Sequence, residues 1–428
     1  MSLAGAALTT FSALAFVIYY VSHALGWWIS PYAGLLGFIA IPAVFLIGLF
    51  LVPLGMWREG SRRGRGAAAW RWPAVDLSSA RTRRIVFAVL LLTIVNLGIV
   101  VLASVGAAHY METTSFCGQA CHVPMRPEFT AHQAGPHARV TCVSCHVSPG
   151  AAGTLRAKRN GTRQLYLVLR GNFERPIPTP ARGLPMAADT CAHCHQPAYP
   201  VADITRVTHE YADDEANTET ATTLVVSPNR NHWHARGDVR VEYVATDAKR
   251  ETIPYVRVTR SGGETTEYFA AGITSRPGGE VRQMDCLDCH SRPAHTMSAS
   301  AAQSVDRSIA TEPAIRTLPF VRRELVAALT TPYPDGDRAA AGIESHLTAF
   351  YNARGGADPA VVTTAVHIGQ RLFRTNVFPE MKVTWGTYRN QLGHSDEVPG
   401  CFRCHDDEHK AASGQVVRQD CELCHKEQ

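Results

Sequence analysis

The chain has 428 residues, 18% of them charged, with a formal net charge of +5. That length suits two or three domains, or a membrane part joined to one sizeable extramembrane part. Residues 58–84 hold eight arginines against Glu59 and Asp76, six positive charges net, so the remainder of a +5 chain sums to −1 and no basic face for nucleic acid exists outside that stretch.

Three apolar segments come first. Residues 8–28 carry no charge and one histidine, His23; residues 32–56 are uncharged with Pro42 and Pro53 inside; residues 85–107 are uncharged with Asn96 as their most polar member. Each is long enough to cross a hydrocarbon core of about 30 Å as a helix rising about 1.5 Å per residue. Backbone polar groups must pair internally in lipid, so helix is the reading for isolated spans. Trp27, Trp28, Tyr32 and Trp57 stand at the ends, where an aromatic belt belongs. The first segment lacks a charged n-region and a cleavage site, which argues against a signal peptide. A re-entrant hairpin is the alternative for the first two spans, which only Ile29, Ser30 and Pro31 separate. The arginine-rich loop at 57–84 sets the orientation, because positive loops stay cytoplasmic. Everything after Ala107 is then expected on the extracytoplasmic side, in a compartment that oxidises free thiols.

Twelve cysteines therefore need an explanation, and one pattern absorbs all of them. The chain reads Cys142-Val-Ser-Cys145-His146, Cys191-Ala-His-Cys194-His195, Cys286-Leu-Asp-Cys289-His290, Cys401-Phe-Arg-Cys404-His405 and Cys421-Glu-Leu-Cys424-His425. A sixth copy, first in the chain, is one residue longer: Cys117-Gly-Gln-Ala-Cys121-His122. C-x-x-C-H is the attachment signature of c-type haem, in which two thiols bond one edge of the porphyrin and the adjacent histidine reaches the iron. Zinc ribbons pair C-x-x-C motifs without requiring a histidine after each, and a disulfide framework requires no histidine at all. The motifs thus assign six covalent haems to Cys117, Cys121, Cys142, Cys145, Cys191, Cys194, Cys286, Cys289, Cys401, Cys404, Cys421 and Cys424. The iron ligands next to them are His122, His146, His195, His290, His405 and His425.

An iron that only passes electrons takes a second axial ligand. The candidates favoured by proximity to motifs are His137, His234, His295, His394 and His409, with His232 as the rival of His234 and His209 as a further candidate. His346 and His367 fall in a helical pattern and read as surface or core residues. Met125, three residues after His122, is either a thioether ligand of the first haem, which raises potential relative to two histidines, or a packing residue.

Between the third and fourth motifs, residues 223–227, 238–245, 252–259 and 265–270 alternate apolar and polar, the pattern of a small antiparallel meander. Between the fourth and fifth, residues 320–330, 337–354 and 359–377 are amphipathic helix candidates. The expected fold is mainly α with much irregular structure: a three-helix transmembrane anchor and a multihaem domain containing a small antiparallel β insertion. Porphyrin is expected to replace much of the side-chain core. The domain reading is anchor 1–107, a three-haem region 108–200, β insertion and fourth motif 201–300, helical spacer 301–395, and a two-haem region 396–428.

The third span running into Ser115-Phe-Cys117, the sequence Val123-Pro-Met125, the segment Pro136-His-Ala-Arg-Val-Thr-Cys142 and the motif ending at His195 together resemble the NapC/NirT family of membrane-anchored multihaem cytochromes c. The resemblance is specific over residues 85–200; the later three motifs make the chain look like an extended branch. It implies electron transfer from membrane quinol to an extracytoplasmic redox protein, with the first haem near the membrane surface. It further implies Met125 as an axial ligand and Lys158 as a residue near the quinol. The chain departs from the family in its longer first motif and in having three spans where a single anchor is usual.

Three functions compete. The leading one is an electron-transfer protein of a bacterial inner membrane, in contact with the lipid bilayer, quinol and an extracytoplasmic partner, with no nucleic acid. His109 and Glu112 are candidate proton acceptors for quinol. The second is a terminal multihaem reductase, which needs an iron with an open position. The third is a relay subunit of a larger respiratory complex, for which Gly34, Gly37, Gly48 and Gly55 would permit close helix approach.

Overall fold

The computed structural model describes residues 1–25, 27, 34, 36–63, 77–120, 122–181, 184–195, 201–235, 237–395 and 398–427. They form two compact units, Met1–Cys121 and His122–Gln428. The fold is mainly helical with two small antiparallel sheets.

The first unit holds three helices long and apolar enough to cross a membrane. Helix α1 spans Ser2–Ala24, α2 spans Ile41–Arg63 behind a π-helical turn at Leu36–Ala40, and α3 spans Ala80–Met111. The helices overrun the apolar segments, since intrahelical hydrogen bonding continues into flanking polar residues. The expected turn at Ile29–Pro31 and residues 64–76 of the basic loop lie outside the described residues. Helices α1 and α2 meet through small residues: a Cβ on Gly48 would stand 2.6 Å from Thr9 Oγ1, and one on Gly5 2.8 Å from the Gly48 carbonyl. That close approach is how apolar helices associate when lipid is as apolar as the side chains. Among the described residues of α3, most of the apolar side chains are exposed and Ala103 is buried, so hydrocarbon is the natural surrounding of the rest.

In the second unit, α4 (His122–Ala134) and α5 (Gly150–Leu169) precede the strands β1 (Ile204–Tyr211), β2 (Glu219–Val226), β3 (Val239–Val244), β4 (Tyr255–Arg260), β5 (Thr265–Phe269) and β6 (Arg282–Gln283). Helices α6 (Ala301–Thr311), α7 (Val321–Thr330), α8 (Gly336–Arg354) and α9 (Pro359–Asn376) follow, then the short strands β7 (Lys410–Ala411) and β8 (His425–Glu427). The expected single meander is two sheets, ordered β1-β2-β8 and β6-β3-β4-β5-β7. Each takes a strand from the C-terminal segment, so both sheets cross the divisions expected at 300 and 395. In the larger sheet Val241 faces Val258 and Tyr243 faces Val256 on one side, while Val244 and Tyr255, also paired, are buried on the other.

Helices α6–α9 build a conventional core from Val305, Ile309, Leu325, Leu329, Ile343, Leu347 and Phe373, all nearly or fully buried. Here 3.6-residue periodicity buries apolar stripes against one another. Capping fixes the ends. Asp335 accepts from the Arg338 amide, and Asp358 with Pro359 at the first helical position opens α9. Helix α7 lacks a local cap, and Asn217 supplies one from the β1–β2 connection, its Oδ1 accepting from the Arg322 amide at 3.1 Å.

Candidate functional site

Most of the motifs fold as one tight helical turn. Residues 142–146, 191–193, 286–289, 400–403 and 421–423 are short α or 3-10 turns that bring each cysteine pair and its histidine to one side. The first motif is different. A π-helical turn, Phe116–Ala120, absorbs its extra residue and carries Cys117; Cys121 lies outside the described residues, and His122 opens α4. No disulfide joins the eleven described cysteines, and among the described residues no cluster of His, Cys, Asp and Glu has the arrangement of a bare metal site.

Each of the five regular motif histidines faces one histidine from outside the motifs. Ring centres are 6.1 Å apart for His146 and His295, 6.0 Å for His195 and His137, 6.3 Å for His290 and His232, 6.0 Å for His405 and His234, and 6.1 Å for His425 and His394. Two metal–nitrogen bonds of about 2 Å plus the radii of two five-membered rings put trans imidazole centres about 6 Å apart. The pairs are therefore spaced to hold one iron between two ring nitrogens, and the residues present fit a haem at each.

The outer nitrogens are fixed by backbone carbonyls. Nδ1 of His137 donates to Pro293 at 3.1 Å, Nδ1 of His295 to Glu128 at 2.9 Å, Nδ1 of His234 to Asn231 at 3.3 Å and Nδ1 of His405 to Arg418 at 2.9 Å. Such bonds set the tautomer and turn the Nε2 lone pair toward the partner ring. Burial holds His146, His290 and His394 below the ordinary imidazole value, and the facing His295, His232 and His425 add to this. His234 and His295 are lowered by burial against the pull of their hydrogen bonds. Neutral imidazole is the form that binds metal.

The motifs are also neighbours in chain order. Burial raises the Cys145 thiol and the nearby Cys191 raises it further; Cys191 does the same to Cys286. Burial and Cys401 push Cys289 up to about 11, and Cys401 contributes to the raised Cys424 thiol. The arrangement is a file running second, third, fourth, fifth, sixth motif. One short segment ties three of them: His290 closes the fourth motif, the Pro293 carbonyl holds His137 and His295 faces His146. The fourth and fifth motifs are also clasped by their variable residues. Arg403 Nη2 donates to the Asp288 carbonyl at 2.6 Å, while the Asp288 carboxylate accepts from Tyr243 at 2.5 Å and Arg250 at 2.9 Å.

Of the expected outer ligands, His137, His234, His295 and His394 each stand in such a pair. His409 is a correction. Its Nδ1 faces the Asp406 carboxylate at 2.8 Å and its Nε2 the Ile253 carbonyl at 2.7 Å, so neither nitrogen is directed at a motif histidine. The remaining pair is formed by His232, which with His234 lies on the 3-10 turn His232–Ala235. The two were read as rivals, but Trp233 packs into the sheet core between them and they face different motifs. The His-Trp-His spacing was the signal available for this. His209 is engaged with Glu219, His346 with Glu324, and His367 is exposed on α9. Met125 is half-buried on the first turn of α4, and Lys158 half-buried on α5.

In the membrane unit an aromatic column runs through His23, Tyr19, Phe38, Tyr110 and Phe116. Ring centres are 5.7 Å apart for Tyr19 and His23, 5.4 Å for Tyr19 and Phe38, 6.2 Å for Phe38 and Tyr110, and 5.2 Å for Tyr110 and Phe116. It ends beside Cys117. His109 and Glu112 are both exposed at the end of α3.

Residues 80–222, which include α3 and the first three motifs, match the family model of the NapC/NirT cytochrome c family, N-terminal region. The cytochrome c-type protein ImcH of Geobacter sulfurreducens is 37% identical over 418 residues, covering 92% of this chain and 81% of that protein. The chain belongs to the NapC/NirT cytochrome c family. No solved structure matches it. As a NapC/NirT cytochrome with three membrane-length helices, it is a membrane-anchored, multihaem electron-transfer protein whose haem c is covalently bound. The similarity to ImcH covers 92% of this chain and so extends well beyond residue 222.

Proposed function

We propose that this cytochrome oxidises membrane quinol and passes the electrons through six haems to an extracytoplasmic redox partner. Bound haem supplies the one-electron chemistry; the chain supplies attachment, ligation and order. The six cysteine pairs of the motifs hold the haems, with His122, His146, His195, His290, His405 and His425 as the inner ligands. The outer ligands are Met125 for the first, then His295, His137, His232, His234 and His394 for the second to sixth.

The observation that carries this reading is the set of five histidine pairs filed in chain order. A file of doubly ligated irons moves electrons and leaves no open coordination position at the regular motifs, which argues against a terminal reductase there. Entry at the first motif is supported by α3, which runs from the apolar span to Met111, six residues before Cys117. The aromatic column offers flat rings to a quinol headgroup, and His23 offers a base for its proton; an ionisable residue at a membrane helix is a functional candidate by default. Arg58, Arg62 and Arg63 close α2 and Arg81, Arg83 and Arg84 open α3, so the connecting loop is cytoplasmic and His122–Gln428 extracytoplasmic at the inner membrane.

The test is anaerobic mixing of the detergent-purified, oxidised protein with a reduced menaquinol analogue while haem absorption is followed. Rapid reduction supports quinol oxidation. No reduction in a protein that dithionite reduces fully would move electron entry to a partner subunit.

A further inference from the structure

We propose that the buried Glu128–Arg292 ion pair holds down the reduction potential of the second haem by acting on His295; this rests on the reading that His295 and His146 share one iron. Glu128 lies on α4 and Arg292 two residues after the fourth motif. Their side chains are 12% and 7% exposed, and Arg292 Nη2 donates to Glu128 Oε2 at 2.7 Å. Both residues grip His295. The Glu128 carbonyl accepts from His295 Nδ1 at 2.9 Å, Glu128 Oε2 stands 3.3 Å from the same nitrogen, and Arg292 Nε donates to the His295 carbonyl at 3.0 Å. The guanidinium lies over the Tyr388 ring at 4.1 Å, which fixes the pair from the far side. Among the described residues, His295 is the only member of the five histidine pairs with a carboxylate beside its ring.

The physical consequence has a definite sign. A negative charge at the Nδ1–H end of an imidazole makes Nε2 a better electron donor, and a better donor favours the oxidised iron. Burial keeps water from screening that charge. Arg292 opposes it from the same carboxylate oxygen, so the carboxylate acts on the ring nitrogen with part of its charge offset. The pair thus sets the driving force into and out of the second haem and acts as a positioning and tuning device, without touching the iron.

The experiment is a potentiometric titration of the full-length, haem-loaded protein, read by optical and EPR spectroscopy. Glu128→Gln is expected to keep every haem low-spin and move one redox step upward by at least tenfold in its equilibrium, which is about 59 mV for one electron. Glu128→Gln with Arg292→Met removes both charges and is expected to shift that step by less than half as much. Arg126→Gln, on the same helix as Glu128, breaks an ion pair with the sequence-distant Glu380 and should leave the redox step in place. Should Glu128→Gln fail to assemble, Glu128→Asp keeps a partner for Arg292 while drawing the carboxylate back from Nδ1, and an upward shift is again expected. His295→Ala separates the two ideas. If it creates a high-spin haem while the Glu128 variants leave all midpoints unchanged, the tuning proposal is overturned and the ligand pairing stands. If His295→Ala leaves every haem low-spin, the pairing itself falls.

Discussion

His409 holds the Ile253 carbonyl at 2.7 Å through Nε2, linking the segment after the fifth motif to the loop before β4, 156 residues earlier. The ring is 2% exposed and its other nitrogen faces Asp406. His409 is therefore a structural latch, although its position four residues after His405 made it look like a ligand. His409→Ala should leave all haems low-spin and lower stability by about 1–3 kcal/mol, the cost of stranding a buried polar group. Denaturant unfolding together with an EPR spectrum checks both halves; a new high-spin signal would sink the assignment.

Two histidines on one turn that face two different motif histidines give a sharper test. His232→Ala and His234→Ala should each produce one high-spin haem, and the double variant two, because the residues face His290 and His405 separately. If they were alternatives for a single iron, the double variant would show one.

The sequence made the inner half of the site legible and left the outer half open for a physical reason. A thiol pair and its histidine are local, so spacing reveals them. An outer ligand arrives from elsewhere in the chain, as His137 and His295 do across long loops, and proximity to a motif is only a weak guide. His394 faces a motif histidine and His409 does not, although both lie near a motif. The amphipathic helices after residue 320 were readable because each buries a stripe of its own. Strands β7 and β8 were not, since two or three residues gain strand geometry only from the neighbours they pair with. Strand β1 is mostly exposed and so lacks the alternation that marks a half-buried strand.

Asn217 is fully buried with φ near 48° and serves three backbone groups: its amide donates to the carbonyls of Arg316 and Leu318, and its oxygen caps α7. Asparagine is among the few residues that tolerate this left-handed backbone. Asn217→Ala should lower stability by about 1–3 kcal/mol per stranded buried group, with haem spectra unchanged. A loss under 0.5 kcal/mol, the ordinary range for roughly neutral surface changes, would show that α7 needs no remote cap.

The core formed by α6–α9 is built from apolar side chains. In protein produced without haem attachment, hydrogen exchange should find protected amides within 301–376 and faster exchange across 122–195, where the described residues share only a smaller apolar cluster around Ala131. Uniform rapid exchange would mean that the helical core depends on the haems after all.

The aromatic column leads to the last prediction. His23 lies at the end of α1, 5.7 Å from both Tyr19 and Phe38, and the column continues through Tyr110 and Phe116 to Cys117. Quinol must release protons as it gives up electrons, and a base held against stacked rings at this end of the helices is placed to accept one. A positioned base contributes about a hundredfold or more to such a step. His23→Ala should therefore slow haem reduction by a menaquinol analogue by about that factor, with dithionite reduction and the low-spin spectrum unchanged. Slowing by both reductants would point to a damaged first haem. Unchanged quinol kinetics would assign the proton to another group, with His109 and Glu112 the next to replace.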